Sequence, residues 1–381
     1  MTAESSGYKP GLEGVVAAET RLSSVDGQKG ELIIAGFPVE ELASHASFEE
    51  TCYLLWYDHL PTQPELTAFK QALAAQRTLP AATLQLLEAV AAHKLPAMDA
   101  LRIAAGTLDL DLDRAQSTID QQAQTLTARI PTAVAAYWQL RQGKAPITPK
   151  PELGHAANYL YMLTGETPSP ARVRGMETYL NTVSDHGLNA STFAARVIIA
   201  TKSDLTSAIV GAIGALKGPL HGGAPGPALD MVFEIGEASR AEPFLRAKLE
   251  KGERLMGFGH RVYKVRDPRA DVLSAAAEKM FQADGDMALY TLAKQVESTA
   301  IQLLEEYKPG RNLQTNVEFF TALLLHGLDL ETDLFTPTFA AGRVAGWIGH
   351  CFEQERTGRL IRPQSVYIGE HNRQWTAIEQ R

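Results

Sequence analysis

The sequence has few of the features that mark secreted, membrane-bound or disulfide-stapled proteins. It contains two cysteines, Cys52 and Cys351, in 381 residues, which excludes a disulfide framework and favours a reducing compartment. Its first residues, MTAESSGYKP, have neither the basic nor the apolar region of a secretory signal. Apolar runs such as YLLW and ALLL are far too short to span a bilayer. We therefore expect a cytoplasmic protein.

Positive charge is not in excess either. The chain has 36 lysines and arginines against 44 acidic residues, a formal net charge of −8. Since binding to nucleic acid needs a basic face, nucleic acid is not expected as the main partner. A small anion needs only a few local arginines, so a small anionic substrate is still compatible with this charge.

Several common catalytic motifs are missing. The sequence has no HExxH, CxxC or paired-histidine spacing, and His350 with Glu353 is an isolated pair, so we predict no metal site. It has no GxSxG elbow for a serine hydrolase and no P-loop.

Helical periodicity dominates what is present. Apolar residues at three- and four-residue spacing predict helices over 47–60, 64–76, 81–93, 113–143, about 151–164, 169–184 and 190–217. Ser47 and Glu50 form a capping-box pattern, and Pro131 should kink or split the fourth helix. The only strand candidate, KGELIIAGFP, predicts one N-terminal β-hairpin in an otherwise all-α fold.

The composition changes at residue 218, where a stretch rich in glycine, proline and charge begins. We predict a large helical domain built from residues 1–222 and 325–381, with a smaller helical domain, residues 223–324, inserted between them.

The stretch GPLHGGAPGPALD, residues 218–230, surrounds His221 with four glycines and three prolines. Pro225 or Pro227 suits the start of a helix, which places His221 just before a helix N-terminus. Because the positive end of the helix dipole disfavours a second positive charge, we expect a neutral imidazole that donates a hydrogen bond. The alternative is a structural histidine in a turn.

MGFGHRVYKVRDPRA, residues 256–270, leads through Gly257 and Gly259 to His260. Close backbone amides with the basic side chains that follow favour an anion site, and a solvated basic turn is the alternative. The basic residues are Arg261, Lys264, Arg266 and Arg269.

Three further stretches carry polar residues in apolar surroundings. VSDHGLNASTFAARV, residues 183–197, groups His186, Asn189 and Ser191 at a helix break, where a plain polar cap is the alternative. NVEFF places Glu318 at the head of an apolar helix, either as a favourable N-terminal charge or as a base with raised pKa. Arg343, amid small and apolar residues, needs an anionic partner.

Together these stretches resemble the citrate synthase family. The resemblance rests on DHGLNAS, GPLHGGA, GFGHRVYK, DPR, NVEFF and GRVAGW followed by RLIRP, in this order, and covers nearly the whole chain. It implies the two-domain, all-α citrate synthase fold and an acyltransferase that converts the acyl group to alkyl on transfer. The implied reaction condenses acetyl-CoA with oxaloacetate and hydrolyses citryl-CoA to citrate and CoA, the first step of the tricarboxylic acid cycle.

The resemblance also implies residue roles. His221 matches the histidine that hydrogen-bonds the thioester carbonyl, Glu318 the base that takes the methyl proton, and His260 the histidine that polarises the ketone of oxaloacetate. The groups expected to hold substrate carboxylates are His186, Arg269, Arg343 and Arg362, with Asn189 and Ser191 as weaker matches. Lys264, Gly257 and Gly259 are expected at the CoA site. Arg362 corresponds to an arginine supplied across a homodimer interface, so a homodimer is the minimal unit and larger assemblies of dimers are compatible.

The chain departs from the family at one catalytic position. Members usually have aspartate as the base, whereas Glu318 is longer by one methylene. A displacement of about 1 Å can cost on the order of a hundredfold in rate, yet we predict retained activity because the other motifs are intact.

Other readings stay open on the sequence. They are a 2-methylcitrate synthase that uses propionyl-CoA and a non-catalytic helical scaffold that binds CoA. We expect no permanently bound cofactor, with CoA only as substrate and product. The chain also resembles the shorter family type, without the extra N-terminal domain through which NADH inhibits longer bacterial members.

Overall fold

A computed structural model describes residues 8–113, 115–222, 225–260, 262–284 and 287–381 of the chain. These residues form a mostly helical structure, as the periodicity predicts. The helices are α1 Val39–His45, α2 Phe48–Tyr57, α3 Gln63–Ala75, α4 Ala81–Ala92, α5 Ala97–Ala105, α6 Ile119–Arg141, α7 His155–Thr164, α8 Pro170–Thr182, α9 Ala190–Ile199, α10 Leu205–Leu216, α11 Pro225–Ile235, α12 Ala241–Glu250, α13 Pro268–Asp284, α14 Met287–Tyr307, α15 Val317–Gly327 and α16 Phe335–Thr357. Among the described residues, no helix combines the length and the apolar content needed to cross a bilayer.

The hairpin predicted over residues 29–38 is present, and a strand that precedes it in the sequence pairs with it. Strands β1 Ser23–Asp26, β2 Glu31–Ile34 and β3 Phe37–Pro38 form one antiparallel sheet in the order β1-β2-β3. Leu32 and Ile34 are fully buried, so β2 turns one face to the helices and anchors the sheet.

One helix prediction needs correction, and of the kink or split predicted at Pro131 the split does not occur. Helix α6 runs through Pro131 without being split, although an internal proline costs roughly 3 kcal/mol. Most of α6 from Ala123 to Tyr137 is buried against other helices, and this packing outweighs the cost. The single helix predicted over 190–217 is instead α9 and α10, because Lys202 has a positive φ of 66° and the Asp204 side chain caps α10 by accepting from the Ser207 N–H.

Helix α16 lies at the centre of the fold. It is buried over nearly its whole length and packs against α2, α6, α8, α9 and α10. The capping box predicted from Ser47 and Glu50 is confirmed at the start of α2. The division into two domains remains a prediction, and its second boundary, at residue 324, falls inside α15.

Candidate active site

One large cleft, with a volume of about 1180 Å³, collects most of the candidate residues. Segments that are far apart in the sequence line it: the α8–α9 loop, the loop after α10, the loop between α12 and α13, and the starts of α13, α15 and α16. The predicted residues on its wall are His186, Asn189, His221, Gly257, Gly259, His260, Arg269, Glu318 and Arg343.

Three predicted residues do not line the cleft: Lys264, Arg362 and Ser191, which contacts the His221 ring. Lys264 is exposed and outside the cleft wall, and its backbone N–H donates to the Gly27 carbonyl in the hairpin turn. Arg362 is exposed in the segment that follows α16. The expectation that Lys264 meets a ligand in this cleft therefore finds no support in its position.

The hydrogen bonds of His260 determine which ring nitrogen carries the proton. Its Nδ1 atom accepts from the backbone N–H groups of Val262 and Tyr263, each at 3.1 Å. Burial, reinforced by the Arg269 charge, lowers the pKa of His260 to about 4. The imidazole is therefore neutral at pH 7, with its proton on Nε2, and acts as a hydrogen-bond donor.

A non-local backbone pairing joins the His260 loop to the start of α15. Phe258 forms an isolated β-bridge with Thr315, the Gly259 N–H donates to the Gln314 carbonyl, and the Asn316 side chain donates to the Gly259 carbonyl. Gly257 and Gly259 both have positive φ, 84° and 81°, and a Cβ on Gly257 would lie 2.9 Å from the Cβ of Phe319. Glycine is thus required at Gly257 for both backbone shape and close approach.

Glu318 lies in the first turn of α15. The Asn316 side chain caps this helix by accepting from the Glu318 N–H at 2.9 Å. Burial raises the pKa of the Glu318 carboxyl, while the Arg269 charge opposes that rise. A carboxylate with raised pKa is a stronger base than an exposed one, which is the second of the two sequence alternatives.

One ring nitrogen of His221 contacts the Ser191 hydroxyl. Its Nε2 atom lies 2.8 Å from the Ser191 hydroxyl, which also receives the Trp347 indole N–H at 3.0 Å. Burial, then the Arg343 charge, lowers the pKa of His221 to about 4. The imidazole is neutral as expected, but burial and an arginine are the causes, where the sequence suggested a helix dipole.

The Ser191 hydroxyl has one proton and two acceptors in reach. Asn189 Oδ1 and His221 Nε2 both lie 2.8 Å from its oxygen. When the hydroxyl donates to His221, the proton of the neutral imidazole is on Nδ1, the nitrogen left for a ligand. Asn189 Oδ1 also caps α9 by accepting from the Thr192 N–H, so the predicted cap role and a position on the cleft wall coincide.

Two buried arginines supply positive charge. Arg269 forms a bidentate ion pair with the fully buried Asp267 through Nε and Nη2. Arg343 is 1% exposed, and its Nε donates to the Val183 carbonyl. Among the described residues, no carboxylate lies within ion-pair distance of Arg343, and burial lowers its pKa to about 10. Its charge therefore favours an anionic ligand in the cleft.

His186 completes this group. Its Nε2 atom lies 3.1 Å from the Tyr263 hydroxyl, and its ring centroid is 6.3 Å from that of His260. Burial, together with Arg269 and Arg343, lowers its pKa well below the ordinary range. Two neutral imidazoles and two guanidinium groups thus surround a space suited to a small dianion that carries a carbonyl group.

The cleft has a second basic region that was not predicted from the sequence. Arg254, Lys308 and Arg311 line it, beside Leu304 and Leu313. Lys308 and Arg311 follow the end of α14 in the segment YKPGRN, where a turn with two cations was the available signal. These three cations suit an anionic group of a ligand bound in the cleft.

Several residues that orient the site were not predicted from the sequence. Asp267 holds Arg269 and accepts from the Val317 N–H. The Asn316 side chain connects the Gly259 carbonyl to the Glu318 N–H, and Trp347 donates to Ser191. The DPR triplet and the Asn before VEFF were the available signals for the first two.

Comparison with known proteins gives a consistent result. The sequence model described as "Citrate synthase, C-terminal domain" matches residues 11–364. Citrate synthase 2 of Bacillus subtilis is 42% identical over 97% of this chain and 98% of its own length. A 2-methylcitrate synthase of Mycobacterium tuberculosis is 40% identical over 96% of this chain and 91% of its own.

A solved structure is also similar. The citrate synthase of Thermoplasma acidophilum, in a ternary complex with carboxymethyl coenzyme A and oxaloacetate, superposes with a TM-score of 0.85 at 31% identity. The superposition covers 97% of this chain and 98% of that one.

Proposed function

Because this chain belongs to the citrate synthase family, we propose that it condenses acetyl-CoA with oxaloacetate and hydrolyses the citryl-CoA formed to citrate and CoA. The observation that carries the proposal is the set of groups on one cleft: two buried arginines, neutral imidazoles and a carboxyl with raised pKa. The T. acidophilum relative was solved with oxaloacetate and a CoA analogue, which supports the same two ligands here.

Oxaloacetate binds between the arginines. Arg343 and Arg269 each pair with substrate carboxylate oxygens, and His186 adds a hydrogen bond. His260 donates from Nε2 to the ketone oxygen, which withdraws electron density from the ketone carbon. Because His260 is neutral, it polarises the ketone without giving up its proton before the new bond forms.

Acetyl-CoA is activated from two sides. Glu318 removes a proton from the methyl group while Nδ1 of His221 donates to the thioester oxygen, so negative charge develops on an oxygen that already has a hydrogen bond. The methyl carbon then attacks the ketone carbon, and the ketone oxygen takes up a proton. Water adds to the thioester of citryl-CoA and the C–S bond breaks, which releases citrate and CoA.

The phosphate groups of CoA bind at the second basic region. Arg254, Lys308 and Arg311 are the cations there, and the backbone at Gly257 and Gly259 lines the path from this region to His260. We retain Lys264 as a candidate only for a CoA contact outside the cleft.

The active unit is a homodimer. The segment after α16 exposes large apolar side chains, among them Ile368 at 95% and Trp375 at 82%. Such a surface is typical of a protein–protein interface, and Arg362 lies on the same segment. We propose that this segment covers a second copy and supplies Arg362 to that copy's oxaloacetate site.

Release of the CoA thiol tests the proposal directly. Acetyl-CoA with oxaloacetate should release thiol, and omission of oxaloacetate should abolish the release. A chain that binds CoA but releases no thiol would be the non-catalytic scaffold, and the proposal would be wrong.

The second candidate is a 2-methylcitrate synthase, because a relative of that name is 40% identical. One extra methylene in an apolar pocket changes binding by only about 1–3 kcal/mol. The same assay with propionyl-CoA decides between them: a higher kcat/KM for propionyl-CoA than for acetyl-CoA would favour this candidate.

A further inference from the structure

Behind the α8–α9 loop lies a chain of buried polar groups that the proposed mechanism does not use. It contains the isolated pair His350 and Glu353 from α16, with Arg196 from α9 and Asp185 from the loop itself. His350 and Asp185 are fully buried. Asp185 immediately precedes His186, so this chain ends at the oxaloacetate side of the cleft.

The direction of each hydrogen bond in the chain can be assigned. Arg196 Nη1 lies 2.9 Å from His350 Nδ1, and since arginine only donates, Nδ1 is an acceptor. Because Nδ1 accepts, the ring proton is on Nε2, which donates to Asp185 Oδ2 at 3.4 Å. Glu353 accepts from the same Arg196 nitrogen at 2.6 Å and fixes the guanidinium.

Strand β1 connects this chain to the loop. The Ser23 hydroxyl donates to Asp185 Oδ2 at 2.5 Å, and its oxygen accepts the Gly187 N–H at 2.7 Å. Burial disfavours the charge on Asp185, but His350 and Arg343 outweigh it and lower the pKa, so Asp185 is a carboxylate. Asp185 and Gly187, the neighbours of His186 in the sequence, are therefore both hydrogen-bonded to the Ser23 hydroxyl.

We propose that Ser23, Asp185, His350 and Arg196 are positioning residues that fix the His186 loop for oxaloacetate, with Ser23 as the link between the buried charges and the Gly187 backbone. This inference rests on the proposed function, because it assigns oxaloacetate to the His186 side of the cleft. None of the four is required to touch substrate.

Ser23→Ala tests the inference, with Ser24→Ala as its matched control. Ser24 is the next residue of the same strand and is exposed, so its substitution leaves the chain intact. We expect Ser23→Ala to raise KM for oxaloacetate roughly tenfold, the effect of losing a hydrogen bond to a charged group, with KM for acetyl-CoA nearly unchanged. Ser23→Thr, which keeps the hydroxyl and suits a strand, should restore the wild-type KM.

The possible outcomes separate the two proposals. If wild-type protein releases no thiol, the proposed function fails. If wild type is active and Ser23→Ala shows the same KM for oxaloacetate as Ser24→Ala, the positioning role is wrong. Equal increases in KM for both substrates, or a Ser23→Thr variant as impaired as Ser23→Ala, would also overturn it. If Ser23→Ala does not fold, His350→Gln and His350→Leu give a second comparison, because only glutamine keeps a donor near the Nε2 position. Equal KM values for oxaloacetate in these two variants would refute the positioning role.

Discussion

Replacing Glu318 with glutamine removes the proposed base with almost no change of shape. The substitution leaves the Asn316 cap intact, because that bond uses the backbone N–H of residue 318. Burial raises the pKa of Glu318 in the folded chain, so its ionised form destabilises the fold at neutral pH. A neutral amide removes this penalty, and we expect the melting temperature of Glu318→Gln to equal or exceed that of wild type.

The catalytic effect should be large. A positioned general base contributes on the order of a hundred- to ten-thousand-fold, and the amide cannot accept the methyl proton. We therefore expect kcat for thiol release to fall by that factor. KM for oxaloacetate should change little, because the dianion is held by Arg269, Arg343 and His186.

Glu331→Gln, at an exposed position, provides the matched control and should retain wild-type kinetics. A kcat for Glu318→Gln within tenfold of wild type, in protein with a normal melting temperature, would refute the role of Glu318 as base. A fall in kcat accompanied by a comparable rise in KM for oxaloacetate would instead show that the Glu318 carboxylate helps to bind oxaloacetate. That result would contradict its proposed role as the base that acts on acetyl-CoA.

Four further predictions concern charge and assembly. Arg343→Lys should raise KM for oxaloacetate by at least about thirtyfold, since a buried charge pair contributes about 2–5 kcal/mol and lysine lacks the planar fork with which arginine donates from Nε to Val183 and from its Nη groups to a carboxylate; an unchanged KM would contradict this. Because burial lowers the pKa of His221 and His260 to about 4, kcat/KM should show no loss of activity from histidine protonation near pH 6.5. The unfolded chain binds these protons at higher pH than the folded one, so the melting temperature should drop as the pH falls from 6.5 towards 4, and a flat profile there would be inconsistent with the buried neutral rings. Co-refolding equal amounts of Glu318→Gln and Arg362→Ala should restore roughly a quarter of the wild-type rate if Arg362 is supplied by the partner, whereas a mixture as inactive as its components would argue that it is not.

The sequence predicted the helical class and most of the helices because apolar periodicity is a local signal. It left open whether Pro131 kinks or splits its helix, because the outcome depends on burial by distant helices. It missed the helix break at residues 200–204, which depends on a cap and on a positive φ at Lys202. Strand β1 was also missed, since its four residues Ser23–Asp26 include only one apolar side chain and show no alternating pattern.

Most individual residues of the candidate site could be predicted from the sequence, but the contacts among them could not. Motifs identified His221, His260 and Glu318, whereas the supports of these residues come from remote positions. Ser191 and Trp347 meet behind His221, although 156 positions separate them in the chain. The cause of the lowered His221 pKa could not be predicted from the sequence either, because it depends on burial and on the charge of Arg343.

The bridge between Phe258 and Thr315 has a consequence for how the intervening chain can vary. It closes residues 259–314 into a loop whose two ends are pinned together, with α13 and α14 inside it. Insertions in the turns within this loop would alter its size but leave the spacing between His260 and Glu318 unchanged. We expect length differences among homologues to be tolerated there, and a single added residue within 256–260 or 314–318 to be severely damaging.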